Sequence, residues 1–196
     1  MNRKDLGKIS VIVSTYNRCD ALQVCLLSLF KQTVLPDEVI IGDDGSTEET
    51  ASLIARLQEQ APFPIIHVWH EDKGFRLAMM RNKCVARSTG NYIIEIDGDV
   101  FLHPKLIADH LREAGHGIYV KGGRVNLGKE LTEEICKSGM VRPIHVWTKG
   151  IESKPENAIH CIWLARFLAP NTCMESAEMI SPPTALARPM DNAVFP

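Results

Sequence analysis

The chain has 196 residues, 45% hydrophobic and 23% charged, which suits one globular domain able to bury a sizeable core. Its formal net charge of -2, with Lys and Arg dispersed, gives no basic footprint and excludes nucleic acid as a partner class. The longest apolar stretch, around Ala158 to Ala169, is broken by His160 and Arg166 and is too short to span a bilayer.

In chain order, Met1 to Asp5 runs within a few residues into a strand-like segment, with no room for a signal peptide. The expected compartment is the cytoplasm, with peripheral membrane contact left open. Lys8-Ile9-Ser10-Val11-Ile12-Val13 is a β-branched run, and Asp20 is placed to cap a helix whose apolar face holds Leu22, Cys25, Leu26 and Leu29. Glu38 to Gly42 reads as a second buried strand, and Ser46-Thr47-Glu48-Glu49 as a capping box opening a helix through Gln60. Ile65 to Trp69 reads as a third strand, Arg76 to Arg87 as a helix, and Tyr92 to Ile96 as a fourth strand.

Beyond Pro104 the pattern predicts a helix through Arg112, a strand at Ile118-Tyr119-Val120, a turn at Gly122-Gly123 and a helix from Lys129 to Lys137. Residues 171–196, rich in proline and without periodicity, are expected to be irregular. The six cysteines lie far apart without a C-x-x-C pair and read as reduced core thiols.

Alternation of apolar strands and helices with short connections predicts an α/β, doubly wound, mostly parallel sheet covered on both faces. Ligands of such sheets lie beyond the carboxyl ends of the strands. Three polar clusters fall there: Ser14-Thr15-Tyr16-Asn17, Asp43-Asp44-Gly45-Ser46 and Asp97-Gly98-Asp99. Two carboxylates at the end of a buried strand need a cation or hydrogen-bond donors to compensate their charge, and hard oxygens suit Mg or Mn carrying nucleotide phosphates. The alternative is a solvated acidic turn, since Asp-Gly is a common turn former. Asp43 and Asp44 could form an Asx turn, with Ser46 capping the next helix, or a carboxylate there could accept from a pyrimidine imide or ribose hydroxyls. Arg76 opens a helix, where a cation is disfavoured unless something anionic faces it.

With these residues in place, the chain resembles glycosyltransferase family 2, the inverting enzymes of the GT-A (Rossmann-like) fold. The likeness runs from Lys8 to about Val125 and rests on Val11 to Arg18, Leu29 to Thr33, Val39 to Thr47 and the acidic triplet. Glu71-Asp72-Lys73-Gly74-Phe75-Arg76 with Arg81-Asn82 is similar to the chondroitin-polymerase branch of bacterial polysaccharide transferases. The resemblance implies a GT-A domain over residues 1–170, with the donor-binding half at 8–104. It implies that Ser14 and Tyr16 line the nucleotide pocket, Asp44 contacts the pyrimidine and Arg76 lies beside the nucleotide. Asp97 would serve ribose and metal, Asp99 the metal. The implied reaction is metal-dependent transfer, with inversion, from a nucleoside-diphosphate sugar, UDP-linked by expectation, to a saccharide or glycolipid acceptor.

The family's Glu-Asp base motif, usually preceded by a Trp-Gly loop and lying well downstream of the acidic triplet, does not occur there in the sequence; Glu133-Glu134 reads as the solvated face of a helix, and Glu175 and Glu178 sit in the weakly patterned tail. The expectation is a truncated or frame-shifted member with an incomplete C-terminal region that keeps the donor site and lacks the base. The rival readings are a catalytically impaired nucleotide-sugar-binding fragment and a nucleotidyltransferase, although the latter's glycine-rich basic loop is absent. A dinucleotide dehydrogenase is disfavoured, because no G-x-G-x-x-G follows the first strand. His67 and His70 are not expected to form a metal pair, His103 is expected to pack near Pro104, and Trp69, Trp147 and Trp163 read as core. An acceptor-docking role stays open for Trp147.

Overall fold

A computed structural model describes residues 7–115, 119–139, 141–160 and 185–187. Four parallel strands form the centre: β1 (Ile9–Thr15), β2 (Glu38–Asp43), β3 (Ile65–Trp69) and β4 (Tyr92–Asp97). They lie in the order β3-β2-β1-β4, and a short antiparallel strand pairs its Ala185–Ala187 with β4 on the far edge. Otherwise the tail expected to be irregular, 171–196 with Cys173, lies outside the described residues, as do Cys161 and Trp163. Helices α1 (Cys19–Phe30), α2 (Glu48–Gln58), α3 (Leu77–Arg87), α4 (Leu106–Glu113) and α5 (Lys129–Ser138) follow in chain order. A two-stranded ribbon pairs Asn126–Leu127 with Ile151–Ser153 antiparallel.

The period-2 geometry of the strands divides the core in two. Ile9, Val11, Val13, Val39, Ile41, Ile94 and Ile96 face α1, α2 and α4, where they meet Leu22, Leu26, Leu53 and Ile107. Ile12, Ile40 and Ile93 face the other way, toward Met80 and Cys84 of α3. The contact of α3 with the sheet is close: a Cβ at Gly42 of β2 would come within 2.7 Å of Cys84 Sγ and 2.9 Å of Met80 Cγ. On the outside of α1, Val24 packs against Leu131 and Ile135 of α5.

Buried polar groups lock the amino-terminal end of the sheet. Glu38 Oε1 accepts hydrogen bonds from Ser10 Oγ (2.5 Å), Thr89 N (2.6 Å) and Thr89 Oγ1 (3.1 Å). Burial alone would raise its carboxyl, but the bonds from Ser10, Thr89 and Gly90 outweigh that and hold it below the ordinary carboxylate range. His110 of α4 is buried and joined through Nδ1 to the Tyr92 hydroxyl at 3.1 Å, and burial lowers its pKa to about 4.

Local chemistry departs from expectation at several points. The first helix begins at Cys19, so Asp20 lies inside its first turn rather than at the cap. The capping box does not form: Thr47 rather than Ser46 is the N-cap residue of α2 and makes no side-chain cap bond, and the Ser46 hydroxyl accepts from Asn17 N at 2.9 Å. Tyr119 and Val120 carry no regular structure, so the strand expected at Ile118-Tyr119-Val120 is not formed there. Cys25 and Cys84 are buried free thiols and Cys19 and Cys136 are half-buried free thiols, in line with reduced cysteines. Burial pushes the Cys84 thiol up to about 12, which leaves it inert at neutral pH. No helix among the described residues is long and apolar enough to cross a membrane.

Candidate functional site

The crevice lies at the carboxyl ends of β1, β2 and β4, and the strands run further than their apolar cores suggest: they include Ser14 and Thr15, Asp43, and Asp97. Parallel register sets Ser14 directly between Gly42 of β2 and Asp97 of β4. Ser14 and Asp97 therefore share the α3 face, and there Arg81 meets both. Its Nε donates to Ser14 Oγ at 3.3 Å and its Nη2 to Asp97 Oδ1 at 2.9 Å. The other Asp97 oxygen accepts from Arg124 Nη1 at 3.2 Å, a residue from the second half of the chain that is 66% exposed.

Gly98 lets the chain turn back under β1. Its N–H donates to Ser14 O at 2.7 Å, and an added Cβ would stand 2.8 Å from that same oxygen. Asp99 beyond it is exposed and makes no hydrogen bond or ion pair among the described residues. The negative potential of this corner is felt by the Cys25 thiol, pushed up by burial first and by Asp99 and Asp97 next. Asp99 thus offers a free hard carboxylate suited to a divalent cation, while Asp97 already has a guanidinium on each oxygen.

On the β2 side the two aspartates divide their work. Asp43 is fully buried and accepts from Ser46 N (2.8 Å) and His67 Nε2 (3.1 Å). Burial opposes its ionisation, but the bonds from His67 and Ser46 prevail and keep its carboxyl low. It therefore builds the turn. Asp44 turns into the crevice, where Oδ1 meets His70 Nε2 at 2.5 Å and Oδ2 accepts from Arg76 N at 2.9 Å. Lys83 Nζ donates to His70 Nδ1 at 3.1 Å, which fixes the ring proton on Nε2, facing Asp44. Arg76 stands at the N-cap of α3, its guanidinium on the Glu71 carbonyl and its buried Nε without a partner among the described residues.

Tyr16 is half exposed at the rim, and its hydroxyl donates to Asp72 Oδ2 at 2.9 Å. Asp72 also presses its backbone on Gly45, whose φ is +100° and whose added Cβ would lie 2.6 Å from Asp72 Cα and N. Gly45→Ala combines a left-handed penalty with an overpacked contact. It is expected to cost about 2 kcal/mol and to lower the thermal midpoint, checked by denaturation followed by circular dichroism.

The structure thus draws Ser14, Asp44, Arg76 and Asp97 into one crevice, with Tyr16 at its rim and Asp99 at its open corner. His70, Lys83, Arg81 and Arg124 join them without having been assigned roles from sequence. Only Arg81 carried a signal, as part of the Arg81-Asn82 pair in the stretch similar to the chondroitin-polymerase branch. Two tryptophans expected in the core are at the surface: Trp69 is 53% exposed, with its indole N–H on Ser46 O, and Trp147 is 89% exposed. Glu133 and Glu134 are exposed on α5 and pair with Lys129, Lys137 and Arg142, as a solvated helix face should.

Residues 10–167 match the family model described as Glycosyl transferase family 2. The chain belongs to glycosyltransferase family 2. Among curated family relatives, it is 38% identical over 92 residues to an uncharacterised glycosyltransferase of Nostoc sp., covering 47% of this chain and 28% of that one. It is 32% identical to validoxylamine A glucosyltransferase of Streptomyces hygroscopicus subsp. limoneus, covering 50% and 22% respectively. It is 29% identical to chondroitin synthase of Escherichia coli, covering 53% and 15%. The chain spans less than a third of the length of these relatives. The mannosyltransferase PcManGT from Pyrobaculum calidifontis, solved in complex with GDP-Man and Mn2+, shares the fold. Its TM-score is 0.53 at 24% identity, over 60% of this chain and 35% of that one. The fold of this family 2 chain is GT-A.

Proposed function

We propose that the crevice binds the donor of a metal-dependent glycosyl transfer, a UDP-linked sugar, for inverting transfer to a saccharide or glycolipid acceptor. The observation that carries this reading is the meeting of Ser14, Asp44, Arg76, Arg81 and Asp97 at the ends of three adjacent parallel strands. The relatives named for glucosyl transfer and for chondroitin synthesis support sugar transfer to a saccharide-type acceptor.

Asp44 is held by His70 and Arg76 N in one orientation, and its remaining lone pairs can accept the imide N–H of a uracil ring. The half-exposed ring of Tyr16 offers the base a face. Arg76 Nε and the buried Thr15 Oγ1, both without a partner among the described residues, are polar atoms that a bound nucleotide would satisfy. Asp99 would hold Mn or Mg, and Asp97 would join it by releasing the exposed Arg124 while keeping Arg81. The cation, when bound, neutralises charge on the departing diphosphate. Arg81 and Arg76 add fixed positive charge on the same side.

Calorimetric titration with UDP, with and without Mn, on the wild type and Asp99→Ala tests the reading. Mn is expected to strengthen UDP binding in the wild type and to have no effect in the variant. Indifference of the wild type to Mn, or persistence of the effect in Asp99→Ala, overturns the assignment.

A further inference from the structure

We propose that His103, Asp109 and His160 form a second cation site, of the class that takes zinc, which fastens the 141–160 segment to the α/β domain. The three residues come from separate parts of the chain: the loop after β4, helix α4, and the segment just beyond the 3-10 turn Pro155–Ala158. One ligand atom of each lies within 4.8 Å of the others. His160 Nε2 stands 2.7 Å from Asp109 Oδ2, and the rings of His103 and His160 stack with centroids 4.3 Å apart and planes 11° apart. A third imidazole, His145, is close enough to act on His103 electrostatically.

The grouping is hard to explain as packing alone. Two of the seven histidines of the chain stack at one place, with a third within electrostatic reach, and His103 and His160 are both exposed there, so burial does not bring them together. Two stacked imidazoles repel when protonated, and Asp109 can compensate only one of them. A divalent cation displaces the imidazole protons and accepts a lone pair from each of the three side chains. Two imidazole nitrogens and one carboxylate oxygen suit zinc and its neighbours rather than Mg, which prefers oxygen alone. The contact that ligation would replace at His103 is weak: Lys105 N donates to His103 Nδ1 at 3.3 Å. At His160 ligation would replace the contact between Nε2 and Asp109 Oδ2 at 2.7 Å, with both side chains turning to the cation. The donor corner at Asp97 and Asp99 contributes only carboxylates, so the two sites select different cations.

The test is calorimetric titration of the metal-free chain with Zn2+, paired with the visible absorption of bound Co2+. The proteins are the wild type, His103→Ala, His160→Ala, His160→Asn and Asp99→Ala. The wild type is expected to bind zinc and to give the intense Co2+ bands of a four-coordinate site. Each histidine variant is expected to lose about tenfold or more in zinc affinity along with those bands. Asp99→Ala is expected to keep both. His103 and His160 are exposed, and unchanged circular dichroism verifies that their variants fold. The proposal is overturned by absence of zinc binding in the wild type, by full affinity in the His103 and His160 variants, or by loss confined to Asp99→Ala.

Discussion

Arg81→Ala is expected to weaken the binding of UDP with Mn by about one to two orders of magnitude and to lower stability by about 1–2 kcal/mol. The guanidinium is 13% exposed and bridges Ser14 Oγ and Asp97 Oδ1, so its loss leaves a strand-end carboxylate with one exposed partner, Arg124. Breaking a fully buried pair costs about 3–5 kcal/mol. Asp97 is 37% exposed, and solvent reduces that figure. Arg81→Lys separates charge from geometry, because an ammonium on a flexible stem does not reproduce the planar fork that reaches both partners. Stability is expected to recover in part, and UDP affinity much less. Calorimetry beside thermal denaturation reads both quantities; unchanged UDP affinity in Arg81→Ala would remove Arg81 from the donor site.

Glu38→Ala is expected to be more damaging to the fold, by about 3 kcal/mol or more, since it strands the fully buried Ser10 hydroxyl and removes the part-buried bonds from Thr89 N and Oγ1. The same carboxylate gives stability a dependence on pH. Its folded pKa is depressed, so the unfolded chain binds the proton first as pH falls. The contribution is complete above the unfolded carboxyl value of about 4.3 and disappears as pH drops through the lower folded value. Urea midpoints measured from pH 7 down to pH 3 should fall steeply in the wild type below about pH 4. In Glu38→Gln that limb should be shallower. Identical limbs would mean that Glu38 carries no such linkage.

Much of this architecture could be read from sequence, for a physical reason. Parallel strands buried on both faces must be apolar throughout, so Val11 to Val13, Val39 to Ile41 and Ile93 to Ile96 stand out as runs. Polar residues that end those runs then fall at the crevice, which is how Ser14, Asp44 and Asp97 could be named. Side chains that reach the crevice from other elements left no such trace. His70 follows a strand as an ordinary polar residue, and Lys83 looks like a solvated helix position until Asp44 and His70 are seen together. Arg124 lies 27 residues from its partner Asp97. The capping box is displaced by Asn17, from another loop, whose N–H donates to the Ser46 hydroxyl and whose Oδ1 accepts from Thr47 N. The tryptophans failed because size argues for burial, whereas Trp69 and Trp147 hold their rings at the surface.

The bare Cα of Gly42 has a consequence for the cationic side of the crevice. Helix α3 delivers Arg81 and Lys83 and is headed by Arg76, and its stand-off from the sheet is gauged by the thiol of Cys84 and the thioether of Met80 lying over that one position. A single methyl group on Gly42 would act as a shim beneath the helix. Every positive group mounted on it would be lifted together, lengthening the reach from Arg81 to Asp97 and from Lys83 to His70 in one movement.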